Sequence, residues 1–464
     1  LAAADNKGAP TASSAMLTLT GKHGLQITLK VEENIRINEA EDGSVSLYYL
    51  QSGLVRSFDR AGNESLGELD PSKVEATLGS AADDIIINLN AELVDSGDGD
   101  DIIFNLADNA TIRGGAGNDK ILLPGRLNNV KVDGGEGEDL IAAELLCGAE
   151  ISLGAKDKLG ANMLESSRVT DEGGSMRIDS LNKSEISSAN GLELEAAWVS
   201  DSRIVAGGGS RLLAYHSLSG SEIIFQGGDK FVRVGNLNGS SLRGGDGKDN
   251  VSFLSFYDSS LEAGDGEKVF YAGAMFNSSL KTGDGDNSVT VGGSAAEARI
   301  EVGNGDNYIS VFQFDDSRMK LGNGNNHIAV ARSENGEVNT GKGENKFLLS
   351  DWDKVRPHAD KFQSSFRING EGRNWVYEIS YYDGVWDELA GAPHAAKNAY
   401  KAQAGIFQSA LKDATLIESP EEKEPQELEG RGIDLRATYA AKGLDGYLDE
   451  LERSAADALA GISV

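Results

Sequence analysis

Covalent cross-links are excluded first: the 464-residue chain has one cysteine, Cys147, so no intramolecular disulfide can hold the fold. Cys147 itself reads as a small buried apolar residue. No apolar run reaches the ~18 residues that a membrane span requires. Positive charge is scarce too, with 43 Lys+Arg against 74 Asp+Glu and a formal net charge of −31. That balance argues against nucleic-acid and anionic-membrane partners, which need a positive surface, and leaves divalent cations or plain solubility as its natural correlates. Catalytic signatures are missing as well. The histidines His23, His216, His327, His358 and His394 are dispersed, with no HExxH zinc motif and no GxSxG nucleophile elbow.

What the chain has is glycine, 58 residues of it, in a repeat. Turn glycines stand at Gly79, Gly97, Gly115, Gly135, Gly154 and Gly173, less regularly at Gly191, Gly208 and Gly227, then again at Gly245, Gly264, Gly283, Gly303, Gly322 and Gly341, at intervals of about 17 to 20 residues. Each unit reads as a GxGx turn, an Asp or Asn, a short alternating strand such as Asn287-Ser288-Val289-Thr290-Val291, a second turn and a second strand such as Ser279-Leu280-Lys281-Thr282. Alternation buries one face of each strand. The expected fold is therefore all-β, a right-handed parallel β-solenoid resembling a β-helix or β-roll, with about 19 residues per coil and about fifteen coils stacked at roughly 4.8 Å. Ile102, Ile121, Ile141, Val251, Val289, Ile309 and Ile328 are expected to face inward. The stretch from Leu159 to Phe231 is degenerate, and there the coil count is least defined.

The turns Gly114-Gly115-Ala116-Gly117-Asn118-Asp119-Lys120-Ile121, Gly134-Gly135-Glu136-Gly137-Glu138-Asp139-Leu140-Ile141 and Gly244-Gly245-Asp246-Gly247-Lys248-Asp249-Asn250-Val251 resemble the hemolysin-type calcium-binding nonapeptide GGxGxDxUx of RTX proteins. The resemblance covers the solenoid alone. It implies calcium held between coils by the aspartates and backbone carbonyls of stacked turns, and export from a Gram-negative bacterium through a C-terminal signal. The pattern departs from the family in that only one side of each coil carries the motif; the other turn has polar segments such as Asp258-Ser259-Ser260 and Asn277-Ser278-Ser279.

The ligand position also changes along the chain, from Asp83, Asp101, Asp119 and Asp139 to Asn287, Asn307, Asn326 and Asn345, with Asp249 in between and Lys158 and Lys268 at the same place in two other coils. Ionised aspartates stacked about 5 Å apart repel by roughly 3 kcal/mol per pair at an effective dielectric near 20, so a counter-cation is expected, and calcium suits oxygen ligands. The alternative is that the carboxylates fan into solvent or accept backbone amides. Asparagines can hydrogen-bond along their own ladder without metal. The metal candidates are thus Asp83, Asp101, Asp119, Asp139 and Asp249.

Four segments are expected: a β-rich N-terminal cap over 1–77, with a hairpin turn at Asp42-Gly43; the solenoid over 78–350; an aromatic capping hairpin over 351–394, with Phe362, Phe366, Trp375, Tyr377, Tyr381, Tyr382 and Trp386; and a helical region over 395–464. In the last, helical spacing covers Ala395–Ile417 and Leu435–Leu459 on either side of an acidic linker, Glu418–Gly430. The functional expectation is a non-catalytic secreted or surface bacterial protein, whose partly calcium-ordered solenoid is a spacer or interaction surface. Two alternatives stand beside it: an adhesin or virulence effector that binds a protein through its C-terminal helices, and a polysaccharide-active β-helix enzyme using Asp315, Asp316, Arg318 and Arg332, with Phe256, Tyr257, Phe276, Phe312 and Phe314 on neighbouring coils.

Overall fold

The computed structural model describes residues 2–3, 15–20, 25–40, 42–52, 54–68, 77–350, 363–379, 386, 389, 399–418 and 427–431. The chain divides into two compact units, Leu1–Ala206 and Gly207–Val464. Both are built of parallel strands stacked coil upon coil, about 19 residues per coil. Among the described residues no helix is long and apolar enough to cross a membrane.

In the first unit the chain enters through an antiparallel meander. Gln26–Val31 pairs with Ala15–Thr20, and Ile35–Glu39 lies between Val45–Tyr49 and Asp84–Asn88. Alternation makes one face apolar: Ile35, Ile37, Val45 and Leu47 are fully buried and pack with Ile85 and Ile87 of the first solenoid strand. The meander thus covers the edge that a stack of parallel strands would otherwise leave unpaired, as the cap reading anticipated.

Two parallel ladders follow. One contains the short strands Leu93–Gly97, Thr111–Ala116, Lys131–Glu136 and Glu150–Leu153. The other contains Ile102–Asn105, Lys120–Asn128, Leu140–Cys147, Lys158–Glu165, Ser175–Asn182 and Glu193–Ser200. The long strands are not the simple alternators the sequence suggests. Leu159 and Ala161 are buried, then the phase slips and Leu164 is the next buried residue, so the strand turns a corner and each coil gains a third side. Coil length varies too: equivalent turn residues are 17, 18, 20 and 18 positions apart. Because side chains alternate with period 2, a one-residue miscount moves a residue to the opposite face. Ile103 is therefore fully buried, as is Asn105 two residues on, and Ile102 is only half-buried. Ile121, Ile141, Val251, Val289, Ile309 and Ile328 are buried as expected.

The second unit repeats the plan, with long strands Lys230–Asn238, Asp249–Tyr257, Lys268–Phe276, Asn287–Ala296, Tyr308–Asp315, His327–Glu334 and Glu344–Ser350 in one ladder. The segment expected to form an aromatic hairpin does not. Gln363–Gly370 and Arg373–Ile379 pair in parallel with the two preceding strands, so they form one more coil beyond the boundary expected at 350. Capping falls to two short antiparallel strands, Glu427–Arg431 on the first ladder and Thr415–Glu418 on the second, which places strand at both ends of the expected linker. The first C-terminal helix, α1, spans Ala399–Asp413 and stops before Ile417. It packs Phe407 and Ala410 into a cluster with Tyr308, Ala329, Leu348, Ile379 and Trp386. Within it His327 stacks on Tyr308 (centroids 4.5 Å apart) and meets the Phe407 ring edge-on; burial holds its pKa down at about 4. Phe362, Tyr381, Tyr382, the whole of the helix expected at Leu435–Leu459 and the terminal Ile462-Ser463-Val464 lie outside the described residues.

The turn glycines are imposed by contact between coils. Gly117 has φ +135°, and a Cβ there would lie 2.0 Å from the carbonyl oxygen of Gly99 in the preceding coil. Gly125 also has positive φ (+74°) but open space around it. Gly117→Ala is therefore expected to cost more than about 3 kcal/mol, combining strain and clash, while Gly125→Ala costs about 1 kcal/mol. Thermal melts of the two variants test this: equal losses would mean that the close approach of the coils is not what demands glycine.

Candidate functional site

The glycine turns place one inward polar residue per coil in a column just ahead of each long strand. In the first unit the column is Asp84, Asp101, Asp119, Asp139 and Asp157, each at most 1% exposed. Each backbone amide donates to Oδ1 of the aspartate in the next coil: Asp84 to Asp101 at 2.6 Å, Asp101 to Asp119 at 2.8 Å, Asp119 to Asp139 at 2.7 Å and Asp139 to Asp157 at 3.0 Å. Of the expected ligands, Asp101, Asp119 and Asp139 are thus in one column. Asp83 is not: it is exposed and its Oδ1 accepts the Asp100 amide in a separate outer ladder. Asp84 takes its place. Likewise the fifth residue of the column is Asp157 rather than Lys158, whose side chain is exposed.

The second carboxylate oxygen decides the chemistry. At the ends of the column it is satisfied, with Asp84 Oδ2 accepting from the Ser80 amide and Asp157 Oδ2 from the Gly154 amide. For Asp101, Asp119 and Asp139 it is buried without a hydrogen-bond partner. Burial pushes the Asp101 carboxyl up to about 7 and that of Asp119 to about 6, and raises Asp139 as well; neighbouring carboxylates add to the rise, and the amide hydrogen bonds oppose it. The first glycine of each pair makes room for this oxygen. A Cβ on Gly114 would lie 2.5 Å from Asp119 Oδ2, and one on Gly134 would lie 2.6 Å from Asp139 Oδ2.

In the second unit the column runs Lys230, Asp249, Lys268, Asn287 and continues through Asn307, Asn326 and Asn345. Asn307, Asn326 and Asn345 find their partners within the chain, while Asn287 Oδ1 at the start of the ladder is buried without one. Asn307 Nδ2 donates to Asn326 Oδ1 at 2.8 Å and to the carbonyls of Gly303 and Gly305, and Asn326 Nδ2 donates to Asn345 Oδ1 at 2.8 Å. This is the self-satisfied ladder expected from the sequence. Asp249 meets a different geometry from the one expected: its two carboxylate oxygens lie 3.1 Å and 3.3 Å from the ammonium groups of Lys230 and Lys268.

A second column, on the opposite turn, was missed by sequence reasoning, which read Asp258-Ser259-Ser260 and Asn277-Ser278-Ser279 as ordinary polar turns. A residue in the left-handed region, such as Asp258 (φ 47°) or Asn277 (φ 45°), precedes a buried serine whose Oγ accepts the amide of the coil before. Ser240 donates to Ser259 and Ser259 to Ser278 in this way. The signal was present as a serine that recurs in most of these coils after Asn, Asp, Lys, Ser or Gly, with alanine in its place at Ala149 and Ala298.

The outer face offers less than the enzyme reading required. Phe256 and Phe314 are fully buried. Asp315 is tied to Gln313 and the Glu334 amide, Asp316 accepts from Asn335 Nδ2, and Arg318 lies 3.5 Å from Glu337. Tyr257 is 40% exposed and stacks on Phe276 with centroids 4.9 Å apart. A groove of about 620 Å³ is lined by Gly239, Glu297, Arg299 and by Asp258 and Asn277, the residues that follow Tyr257 and Phe276 in the chain. In the first unit a cavity of about 380 Å³ reaches the start of the aspartate column at Asp84 and Asp101, with Asp83, Asp100 and Glu39 around it. Among the described residues no three His, Cys, Asp or Glu side chains are grouped so as to hold a metal ion. Cys147 is free and half-buried, and burial raises its thiol pKa. In comparisons with known proteins, the chain matches no family model, no curated protein and no solved structure.

The raised carboxyls fix the sign of a pH effect. The folded column binds more protons than the unfolded chain, whose aspartates titrate near 3.9. Its stability is therefore full below about pH 4 and falls as pH rises through about 6 to 7. In chelator, the melting temperature of the wild type is expected to fall between about pH 5 and pH 8 by on the order of 5 °C more than that of the triple variant Asp101→Asn, Asp119→Asn, Asp139→Asn. Parallel pH curves for the two proteins would show that these carboxylates are not protonated in the fold.

Proposed function

We propose that the chain is a non-catalytic scaffold, a secreted or surface-exposed bacterial protein whose stacked coils act as a rigid spacer and interaction surface, with the first unit ordered by calcium. The observation that carries the calcium reading is the set of buried, unpartnered Oδ2 atoms on Asp101, Asp119 and Asp139. Buried carboxylates need a compensating charge or proton, and a hard cation with oxygen ligands is the natural one. The donor chemistry fits: one carboxylate per coil beside closely approaching turn carbonyls. Each aspartate would contribute one carboxylate oxygen and the turn carbonyls the remaining donors, since no three acidic side chains meet at one point among the described residues, and a bound calcium would supply the positive charge that lets the carboxylates stay ionised at neutral pH.

The polar groove at Asp258 and Asn277 and the stacked Tyr257 and Phe276 that precede those residues in the chain support the interaction-surface part, since aromatic and polar groups together suit a partner with both apolar and hydroxylated faces. The same features could serve a polysaccharide, which connects this reading with the enzyme alternative through binding alone.

Calorimetry tests the calcium part. Calcium at a hundredfold excess over its dissociation constant is expected to stabilise the first unit by about 2.7 kcal/mol, a rise of about 5 to 10 °C for a unit of this size, and the triple asparagine variant should lose the response while melting above the wild type in chelator near pH 8. An unchanged melting temperature with no stoichiometric metal bound would overturn it. Incubation with a panel of acidic polysaccharides is expected to yield no new reducing ends and no unsaturated products; turnover that is lost on substituting Asp315 or Arg332 would instead establish the enzyme.

A further inference from the structure

The lysines of the second unit stand in the column that elsewhere holds aspartate or asparagine. Lys230 and Lys268 are 4% and 2% exposed, which would be costly for an ammonium group without compensation. Both are compensated in the same way. Lys230 Nζ donates to the carbonyl oxygens of Gly245 at 3.1 Å and Asp246 at 3.2 Å and to Asp249 Oδ1 at 3.1 Å. Lys268 Nζ donates to the carbonyl oxygens of Gly247 and Asp265, the latter at 2.7 Å, and lies 3.3 Å from Asp249 Oδ2. Each ammonium sits among two turn carbonyls and one carboxylate oxygen, a set of hard oxygen donors around a single point of positive charge.

We propose that the two turns flanking Asp249 are cation sites whose cation the chain itself supplies, the lysine ammonium occupying the position that a free ion would take. Three observations converge on this. The donors are those an oxygen-liganded cation uses. The ammonium is a compact point charge on a long stem that can be buried along the column. The next coils meet the same need for positive hydrogen-bond donors with the Nδ2 groups of Asn287, Asn307 and Asn326, which also point at turn carbonyls. The second unit therefore needs no external ion, and deleting one ammonium turns its turn into a vacant oxygen cradle that takes a small cation. The inference stands on the Lys230 and Lys268 contacts and does not require calcium in the first unit.

The test uses the full chain. Lys268→Ala is expected to lower the melting temperature of the second unit, and calcium or ethylammonium should restore it saturably, whereas choline, too large for the cradle, should not at equal ionic strength. Calcium titration calorimetry should show one more site in Lys268→Ala than in the wild type, whatever number the wild type binds, so the outcome is separable from the calcium reading of the first unit. A Lys268→Ala variant with wild-type stability, or one whose loss no cation repairs and which gains no calcium site, would overturn the proposal. Should the variant not fold unaided, refolding it from urea with calcium or ethylammonium decides the point: recovery with either supports the tethered cation, and failure with both refutes it.

Discussion

The close approach of each glycine turn to the turn before it is the constraint on which the remaining features depend. Carbonyl oxygens from successive coils come so near that a Cβ on Gly117 or Gly137 would lie 2.0 or 1.7 Å from one of them. Some turn carbonyls accept an amide from the adjacent coil, as Ala116 does from Gly99 and Glu136 from Gly117, and others are reached by the inward residue, as Gly305 is by Asn307 Nδ2; an acceptor left without a donor is costly. The inward residue of the turn therefore has to supply positive charge or N–H groups, or else leave a place for something that does. Asparagine, lysine and aspartate are three answers to one requirement: an amide donor, a tethered ammonium, and a carboxylate that calls for a proton or an ion.

These answers differ in what they make the fold depend on. Asn307 and Asn326 close their hydrogen bonds within the chain, so this ladder itself carries no titratable group and asks for no ion. Lys230, Asp249 and Lys268 also close within the chain, but through buried charges, where removing one partner strands the others at a cost of several kcal/mol. Asp101, Asp119 and Asp139 close within the chain only through Oδ1; their Oδ2 atoms are buried without a partner. Burial raises their pKa values, which is the physical statement that the folded column prefers protons or cations over open ionisation. Dependence on the surroundings is thus concentrated in a few coils of the first unit, and the net stability of a domain is small enough for such a dependence to matter.

Much of this was legible in the sequence because glycine spacing and apolar alternation report backbone geometry directly. The period, the all-β class and the burial of Ile121, Ile141, Val289 and Ile328 followed from it. The errors were one-residue slips with a common cause. Coils of 17 and 20 residues cannot be aligned by a fixed period, so Asp83 was taken for Asp84, Lys158 for Asp157 and Ile102 for Ile103, each a change of face. Another signal was present and went unread: the pair of glycines in Gly114-Gly115, Gly134-Gly135 and Gly244-Gly245 accompanies Asp119, Asp139 and Asp249, whereas Val302-Gly303 and Leu321-Gly322 accompany Asn307 and Asn326. At Asp119 and Asp139 the first glycine is needed because their Oδ2 atoms lie where its Cβ would be; Asp101 and Asp157 follow Ser96-Gly97 and Leu153-Gly154, so the pair marks some of the carboxylates and not all. The aromatic segment after 350 was misread because strong alternation identifies strands and not their partners; Arg373–Ile379 pairs with the preceding coil instead of folding back.

The degenerate stretch shows how the stack survives where its most visible signal fades. After Asp157 the inward carboxylate column ends, and the turns at Gly173 and Gly191 no longer follow the GxGx pattern, yet strands Lys158–Glu165, Ser175–Asn182 and Glu193–Ser200 remain in continuous parallel register. Over the same coils the opposite turn carries a serine column: the Ala149, Ser167 and Ser184 amides donate to the hydroxyls of Ser167, Ser184 and Ser202 at 3.0 to 3.1 Å. Each hydroxyl in turn donates to a carbonyl two residues back, as Ser167 does to Glu165 and Ser184 to Asn182. One polar column hands over to the other. A coil needs at least one turn in which a side chain bonds across to its neighbour, since the ladders fix strand spacing while the turns fix where each strand begins. Glycine periodicity reports only one of those two turns, and so the regularity of the fold exceeds the regularity of the repeat that revealed it.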